Sequence, residues 1–348
     1  MTVDIKEDGR FLVIPNAGLG DYLFALQTGY KLKVLYPQAE ISYLSWTPVY
    51  RKIFEDLKFI QAIIDIETPR ITPGGFAWKK KGRENREILR DVIASSDFIV
   101  WLNDFSPVRA LISQCGKRAL HAKGRMNPRY PQTRNLFTAI SFEVNKALGL
   151  WRDWHPLVPP ALCQPELDFA RDYRRRAVPK ERMAFLSPGS NYHLKVIPPA
   201  AIVRAAAFVR AKGFQPVLLL PMERGSKESY LSAFPPKNSL LVLDNLELRQ
   251  VLALIRVSDL FIGPDSGLTH AAAFFSVPTI AVIGPSPDFF APYGRSVAVV
   301  NVAETCVHRQ RSCNCEESCL YQSRGGRCLD QFFDPAKLAE SWAKLDLF

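Results

Sequence analysis

The sequence predicts an α/β protein built as two successive Rossmann-like domains, and three observations carry that prediction. Short apolar runs of strand length alternate with segments of helical period along the 348 residues, which is the pattern of a parallel sheet wrapped by helices. The rhythm breaks between about residues 150 and 180 and then restarts. The length exceeds one ordinary core and suits two domains of roughly 150 residues each.

The first domain is expected over residues 1–160. FLVIP (11–15) reads as a buried strand, and Asp21 to Leu35 as a helix with apolar positions at 22, 23, 26, 30 and 34. ISYLSW, FIQAIIDI and DFIVWL continue as strands, separated by helical segments Pro48 to Leu57 and Asn85 to Ser96. Residues 161–180 read as a linker, because Pro156, Pro159, Pro160 and Pro165 punctuate the chain just before a basic helix. The second domain is expected over residues 181–334. It runs through MAFLS, a helix opened by Pro198-Pro199, PVLLLP, LLVLD, a helix from Leu246 to Ser258, and DLFIG. Residues 335–348 close the chain as a helix, and no repeat of 20 to 50 residues is apparent.

With 47% apolar and 23% charged residues the composition is that of a soluble globular protein. No apolar run reaches 18 residues and MTVDIKEDGR has no signal-peptide core, so a cytoplasmic location is expected. A formal charge of +11 calls for an anionic partner. Part of it is clustered, in Lys79-Lys80-Lys81-Gly82-Arg83 and in Arg174-Arg175-Arg176. A solvated loop and a solvated helix face account for these clusters as well as a binding site does. A nucleic-acid module would add aromatics at stacking spacing, and beyond Phe76 and Trp78 none is seen, so no nucleic acid is expected as partner.

The most informative stretch is FIGPDSGLTHAAAFF (261–275), followed at once by SVPTIAVIGPSP. It reads as strand, tight loop, helix, strand, with polar residues gathered at the strand ends, where open parallel sheets bind ligands. A helix N-terminus there offers free N–H groups and partial positive charge to a phosphate. Either Asp265 or Ser266 serves equally well as a plain helix cap, and a lone helical His270 is more often a core or surface residue. Asp265, Ser266, Gly267 and His270 within six residues are what favour a nucleotide pocket.

The run D-S-G-L-T-H-A-A-A followed by V-P-T-I-A-V-I-G-P resembles the donor-site signature of glycosyltransferase family 9, the lipopolysaccharide heptosyltransferases. PNAGLGDYLFALQ, near the N-terminus, resembles that family's G-D-x-L loop, and SPGSNYHLKVIPP resembles its second-domain lysine loop. The resemblance implies GT-B architecture, two Rossmann-like domains facing a central cleft. A dinucleotide-dependent dehydrogenase would show similar alternation, but Gly18-Leu19-Gly20-Asp21-Tyr22-Leu23 puts Leu at the third glycine position and an anion at the phosphate approach.

Transfer from a nucleotide sugar needs an acceptor hydroxyl made nucleophilic and a leaving diphosphate whose charge is stabilised. Asp21, after Gly18 and Gly20, can take the acceptor proton; by resemblance it is the family's general base, with inversion at the anomeric carbon. A helix cap is the plainer role for the same residue. The chain contains no D-x-D metal motif, which leaves Lys195 and the helix beginning near Ser266 to face the diphosphate, without a catalytic cofactor. Lys195 follows Ser187-Pro188-Gly189-Ser190 at a spacing that matches the family's K-x-x-P pattern, although Val196 and Ile197 lack the aromatic usual before the proline. Glu223, just after PVLLLP, sits where a carboxylate could hold a ribose; a surface glutamate is its ordinary reading.

Five of the seven cysteines fall together at Cys306, Cys313, Cys315, Cys319 and Cys328. Their spacing fits no common zinc finger, and a structural zinc or iron, free thiols and disulfides all remain open. The resembled family's acceptor is an anionic glycolipid at the inner membrane face, so Lys79, Lys80, Lys81 and Arg83 are expected to grip its phosphates or carboxylates, with peripheral contact to the bilayer. The implied activity is transfer of a heptose from ADP-heptose to a lipopolysaccharide-type acceptor. The alternatives are another nucleotide sugar, another glycan or a protein acceptor, or a non-catalytic binding protein on the same fold.

Overall fold

The computed structural model describes residues 6–16, 18–66, 70–72, 75–77, 82–102, 106–122, 135–150, 157–190, 195–220, 226–234, 240–284, 288–301 and 335–345. The chain divides into two compact units, Met1–Ala161 and Leu162–Phe348.

Unit 1 runs β1 (Arg10–Ile14), α1 (Leu19–Leu35), β2 (Glu40–Ser45), α2 (Pro48–Arg51), β3 (Ile60–Asp65), β4 (Arg70–Thr72), β5 (Gly75–Ala77), α3 (Gly82–Ser95), β6 (Phe98–Trp101), α4 (Ser106–Gln114), β7 (Ala119–His121) and α5 (Leu136–Ala147). Five strands form a parallel sheet in the order β3-β2-β1-β6-β7, while β4 and β5 pair as a separate antiparallel hairpin. β1 is central, and Phe11 to Ile14 are all buried, which is why it reads as an unbroken apolar run rather than an alternating one.

Helix α1 is fixed to this sheet by contacts that permit little movement. At Gly29 an added Cβ would lie 1.8 Å from the Tyr43 hydroxyl on β2, so only glycine allows this approach. In the first turn, the Tyr22 hydroxyl accepts the Trp46 N–H at 2.5 Å, and the Trp46 indole N–H donates to the Pro15 carbonyl at 2.8 Å. Further along, the Gln27 amide donates to the Val158 carbonyl and accepts the Val158 N–H, both at 2.6 Å. Lys31 is buried and bonds the Ser141 hydroxyl and, at 2.8 Å, the Asn145 side-chain oxygen on α5. Burial pulls its ammonium down to about 7.

Unit 2 runs α6 (Gln164–Ala177), β8 (Arg182–Leu186), α7 (Pro199–Ala211), β9 (Phe214–Leu219), α8 (Ser226–Ala233), β10 (Leu241–Leu243), α9 (Leu248–Arg256), β11 (Leu260–Pro264), α10 (Gly267–Phe274), β12 (Thr279–Ile283), β13 (Val297–Asn301) and α11 (Pro335–Ala343). Its six parallel strands are ordered β10-β9-β8-β11-β12-β13. Alternate residues of β8 and β11 feed two cores: Ala184, Leu186, Leu260 and Ile262 join α7, α8 and α11, while Met183, Phe185 and Phe261 join α6, α9 and α10. α11 is seated by Trp342, whose ring meets Phe208 and Phe214 edge-on at 5.7 and 5.5 Å.

Several elements differ from the sequence expectation. α1 begins at Leu19 rather than Asp21, so the glycine loop enters the helix and Asp21 stands at its third position. The segment from Pro48 holds only one helical turn, α2. Residues 164–177, inside the stretch read as a linker, form α6, which packs on α9 and is tied to it by the Glu166–Arg249 ion pair. The basic run there is partly structural, since Arg174 pairs with Asp259 at 2.7 Å. Among the described residues, no helix is long and apolar enough to cross a membrane.

Candidate functional site

Both sheets change direction of winding once, between β1 and β6 in unit 1 and between β8 and β11 in unit 2. Beyond the carboxyl ends of such strand pairs the connecting loops part to opposite faces and leave a crevice where α/β proteins bind ligands. Asp21 in unit 1 and Ser187, Lys195, Asp265 and His270 in unit 2 lie at these two places.

In unit 2, Ser187 extends β8, buried, with its N–H donating to Ile262 at 2.9 Å. Pro188 accepts the Ile197 N–H at 3.0 Å, which closes the base of the loop carrying Gly189, Ser190 and Lys195. Ile197 is fully buried and its carbonyl accepts the Tyr230 hydroxyl. The residue that departs from the resembled pattern is thus the loop's core anchor, an aliphatic one in place of an aromatic.

β11 ends at Gly263-Pro264, and Asp265 continues its ladder by donating its N–H to Val282 at 3.0 Å. A Cβ at Gly263 would meet the Thr269 hydroxyl at 2.8 Å and the Phe261 ring at 2.7 Å. The bare glycine lets Thr269 fold back on the Pro264 carbonyl and bond Ser266 at 3.1 Å. Ser266 occupies the N-cap of α10 in extended conformation, but its hydroxyl makes no capping bond, and Gly267 opens the helix. The plain capping role is therefore not the one Ser266 plays here.

The centre of the group is ionic. Lys195 Nζ lies 2.6 Å from Asp265 Oδ2, and His270 Nε2 lies 3.7 Å from Asp265 Oδ1. The side chains of Asp265 and His270 are 8% exposed, against 20% for Lys195, which is the most exposed of the three. Burial by itself would raise the Asp265 carboxyl, but His270 on one oxygen and Lys195 on the other outweigh it and hold the group at about 2. Lys195 also stands 6.0 Å from the Phe290 ring centre, within cation–π range. The arrangement is a fixed, partly accessible cation beside a helix N-terminus, suited to an anionic group.

In unit 1, Gly18 is the N-cap of α1 and its N–H donates to Asp21 Oδ2 at 3.0 Å. Gly20 lies in the same turn, and both Gly20 and Asp21 are half-buried. The Asp21 carboxylate is thus held by a backbone amide at the start of α1.

Residues 158–320 match the family model described as glycosyltransferase family 9 (heptosyltransferase). This part of the chain is a family 9 glycosyltransferase domain. No curated protein matches the chain in sequence. Among solved structures, a family 9 glycosyl transferase from Veillonella parvula covers 84% of this chain and 86% of its own, at 19% identity and a TM-score of 0.66. The E. coli ADP-heptose lps heptosyltransferase II covers 84% and 90%, at 21% identity and a TM-score of 0.61. E. coli heptosyltransferase WaaC with ADP covers 84% and 93%, at 16% identity and a TM-score of 0.63. At these identities the likeness establishes a shared fold, GT-B, and the family match over residues 158–320 supports a glycosyltransferase.

Of the other sequence candidates, Arg83 is exposed on α3 and pairs with Glu87 at 3.3 Å. Lys79, Lys80, Lys81, Glu223 and the cysteines Cys306, Cys313, Cys315, Cys319 and Cys328 lie outside the described residues. Among the described residues, no group of three or more His, Cys, Asp or Glu side chains could hold a metal ion. Sequence reasoning missed Thr269, which only the tight G-P-D-S-G-L-T-H spacing could have flagged. It also missed His121, stacked on Trp101 with ring centres 4.0 Å apart at the carboxyl edge of the unit 1 sheet.

Proposed function

We propose that the enzyme transfers a heptose from ADP-heptose to an anionic, lipopolysaccharide-type glycan, with inversion and without a metal ion in the transfer step. The observation that carries this reading is the Lys195–Asp265 pair beside the N-terminus of α10. A largely buried ion pair seldom repays its desolvation through stability alone, and a strongly perturbed carboxyl at a ligand-binding sheet edge suits a functional site.

In this reading the Asp21 carboxylate accepts the proton of the acceptor hydroxyl as its oxygen attacks the anomeric carbon. The bond from that carbon to the diphosphate breaks with its electron pair on the diphosphate. Lys195 and the first-turn amides of α10 face the growing negative charge, the role that a divalent ion on a D-x-D motif would otherwise fill. Ser187, Gly189, Ser190, Ser266 and Gly267 line the donor's phosphates, Glu223 its ribose. The basic segment Lys79–Lys81 with Arg83 meets the acceptor's anionic groups and the inner membrane face. The five clustered cysteines are assigned to a structural zinc or iron, apart from the reaction.

Melting the protein with ADP, UDP, GDP, CMP and NAD tests the donor. At a hundredfold excess over Kd a bound ligand adds about 2.7 kcal/mol, a shift of roughly 5 to 10 °C for a unit of this size. A shift with ADP, followed by acceptor-dependent ADP release from ADP-heptose that persists in EDTA, supports the proposal. A shift with UDP or GDP instead replaces the donor, and a response to NAD only, or to nothing, overturns the reading.

A further inference from the structure

We propose that His270 is a positioning residue that acts through Asp265 on Lys195, keeping part of the ammonium's charge available to the donor diphosphate. The proposal rests on the reading above and concerns the regulation of charge within that same site.

The two oxygens of Asp265 face different partners, Lys195 on Oδ2 at 2.6 Å and His270 on Oδ1 at 3.7 Å. In a site where these side chains are 8 to 20% exposed, water screens little, and the field at the ammonium depends on how the carboxylate's charge is shared. A carboxylate turned wholly to Lys195 would cancel most of the charge that a diphosphate must find there. The imidazole, placed on the far oxygen by the first turns of α10, draws the carboxylate the other way. His270 itself is 6% exposed and need not touch the donor to exert this effect. Its position is fixed by its N–H bond to the Ser266 carbonyl at 3.2 Å and by the Thr269 fold over Gly263.

The test is a double-mutant cycle read by calorimetric titration of ADP, with adenosine as the phosphate-free reference. His270→Leu is expected to weaken ADP about tenfold, the loss of one charge-assisted contact, while adenosine binding is unchanged. In a Lys195→Ala background the same change is expected to cost nothing further, because the charge it regulates is gone. His270→Gln, whose amide N–H can still meet Asp265, is expected to stay within about twofold of the parent. If His270→Leu does not melt cooperatively, His270→Met fills the same buried space and takes its place in the cycle. Equal losses with and without Lys195, or an unchanged ADP affinity, overturn the proposal while leaving the donor site standing. Failure of the parent protein to bind ADP, UDP or GDP would overturn the proposed function and this inference with it.

Discussion

Asp21 in unit 1 and Asp265 in unit 2 each follow a strand that borders the crevice where the strand order reverses. Asp21 is half-buried and holds the Gly18 N–H. Asp265 is buried between a lysine and a histidine and stays ionised down to about pH 2. The shared topology supplies a place for a carboxylate, and the neighbours decide its chemistry. In the proposed reaction the first is assigned the acceptor's proton, whereas the second, held between two side-chain partners, is a fixed counter-charge. The same contrast extends to the buried cations: Lys31 of unit 1 bonds neutral oxygens of Ser141 and Asn145, and Lys195 of unit 2 bonds an anion.

Four substitutions break or sharpen this contrast, in descending order of effect. Asp21→Asn, which keeps the shape and removes the base, is expected to lower kcat by about a thousandfold with ADP affinity unchanged. Equal losses in kcat and in ADP binding would remove the difference between the two carboxylates. Lys195→Ala is expected to lower kcat/KM by about a hundredfold and to weaken ADP, because the charge on the leaving group goes unmet. Steady-state kinetics beside ADP titration separates the two.

Asp265→Asn tests the fixed counter-charge by stability. The folded carboxyl sits at about 2 against an ordinary 3.8, so its contribution is fully present above about pH 4 and fades as the pH falls towards 2, an effect of about 2 kcal/mol. Urea unfolding of the variant should lack that acid-dependent part. The smallest effect belongs to Lys31. Its folded value of about 7 lies below the ordinary 10.5, so the unfolded chain binds more protons and stability rises with pH above 7. Lys31→Met should flatten that rise, which amounts to about 1 kcal/mol between pH 7 and 8.

The parts of the fold that could be read in the sequence are those whose residues answer to one demand at a time. β11, α10 and β12 announce themselves because Leu260 to Ile262 and Thr279 to Ile283 lie between two packed helix layers, and Gly263-Pro264 punctuates them sharply. α5 was not anticipated, and the cause is visible in its buried face, where Thr138, Ser141 and Asn145 stand among apolar residues. Two of these bond Lys31, which itself looks like a solvent-facing position on α1. A polar pair that satisfies itself in the interior erases the helical period on both partners. β7 is short and half-exposed, too brief to separate from a loop by composition. At the candidate site, residue types pointed to Lys195, Asp265 and His270, and the structure brings the three side chains together. Their junction through one carboxylate joins positions 70 residues apart in the chain, and only the β8–β11 pairing brings them together.

The missing side chain at Gly29 sets how α1 is oriented about its own axis. Since the Tyr43 hydroxyl would sit 1.8 Å from any Cβ there, the helix comes this close to β2 only by turning its bare Gly29 face to Tyr43. Asp21 is eight residues back along the same rod, about 12 Å away. A rigid helix carries an angular error at one end undiminished to the other, so the aim of the carboxylate is calibrated by an atom that is absent from a position far outside the site.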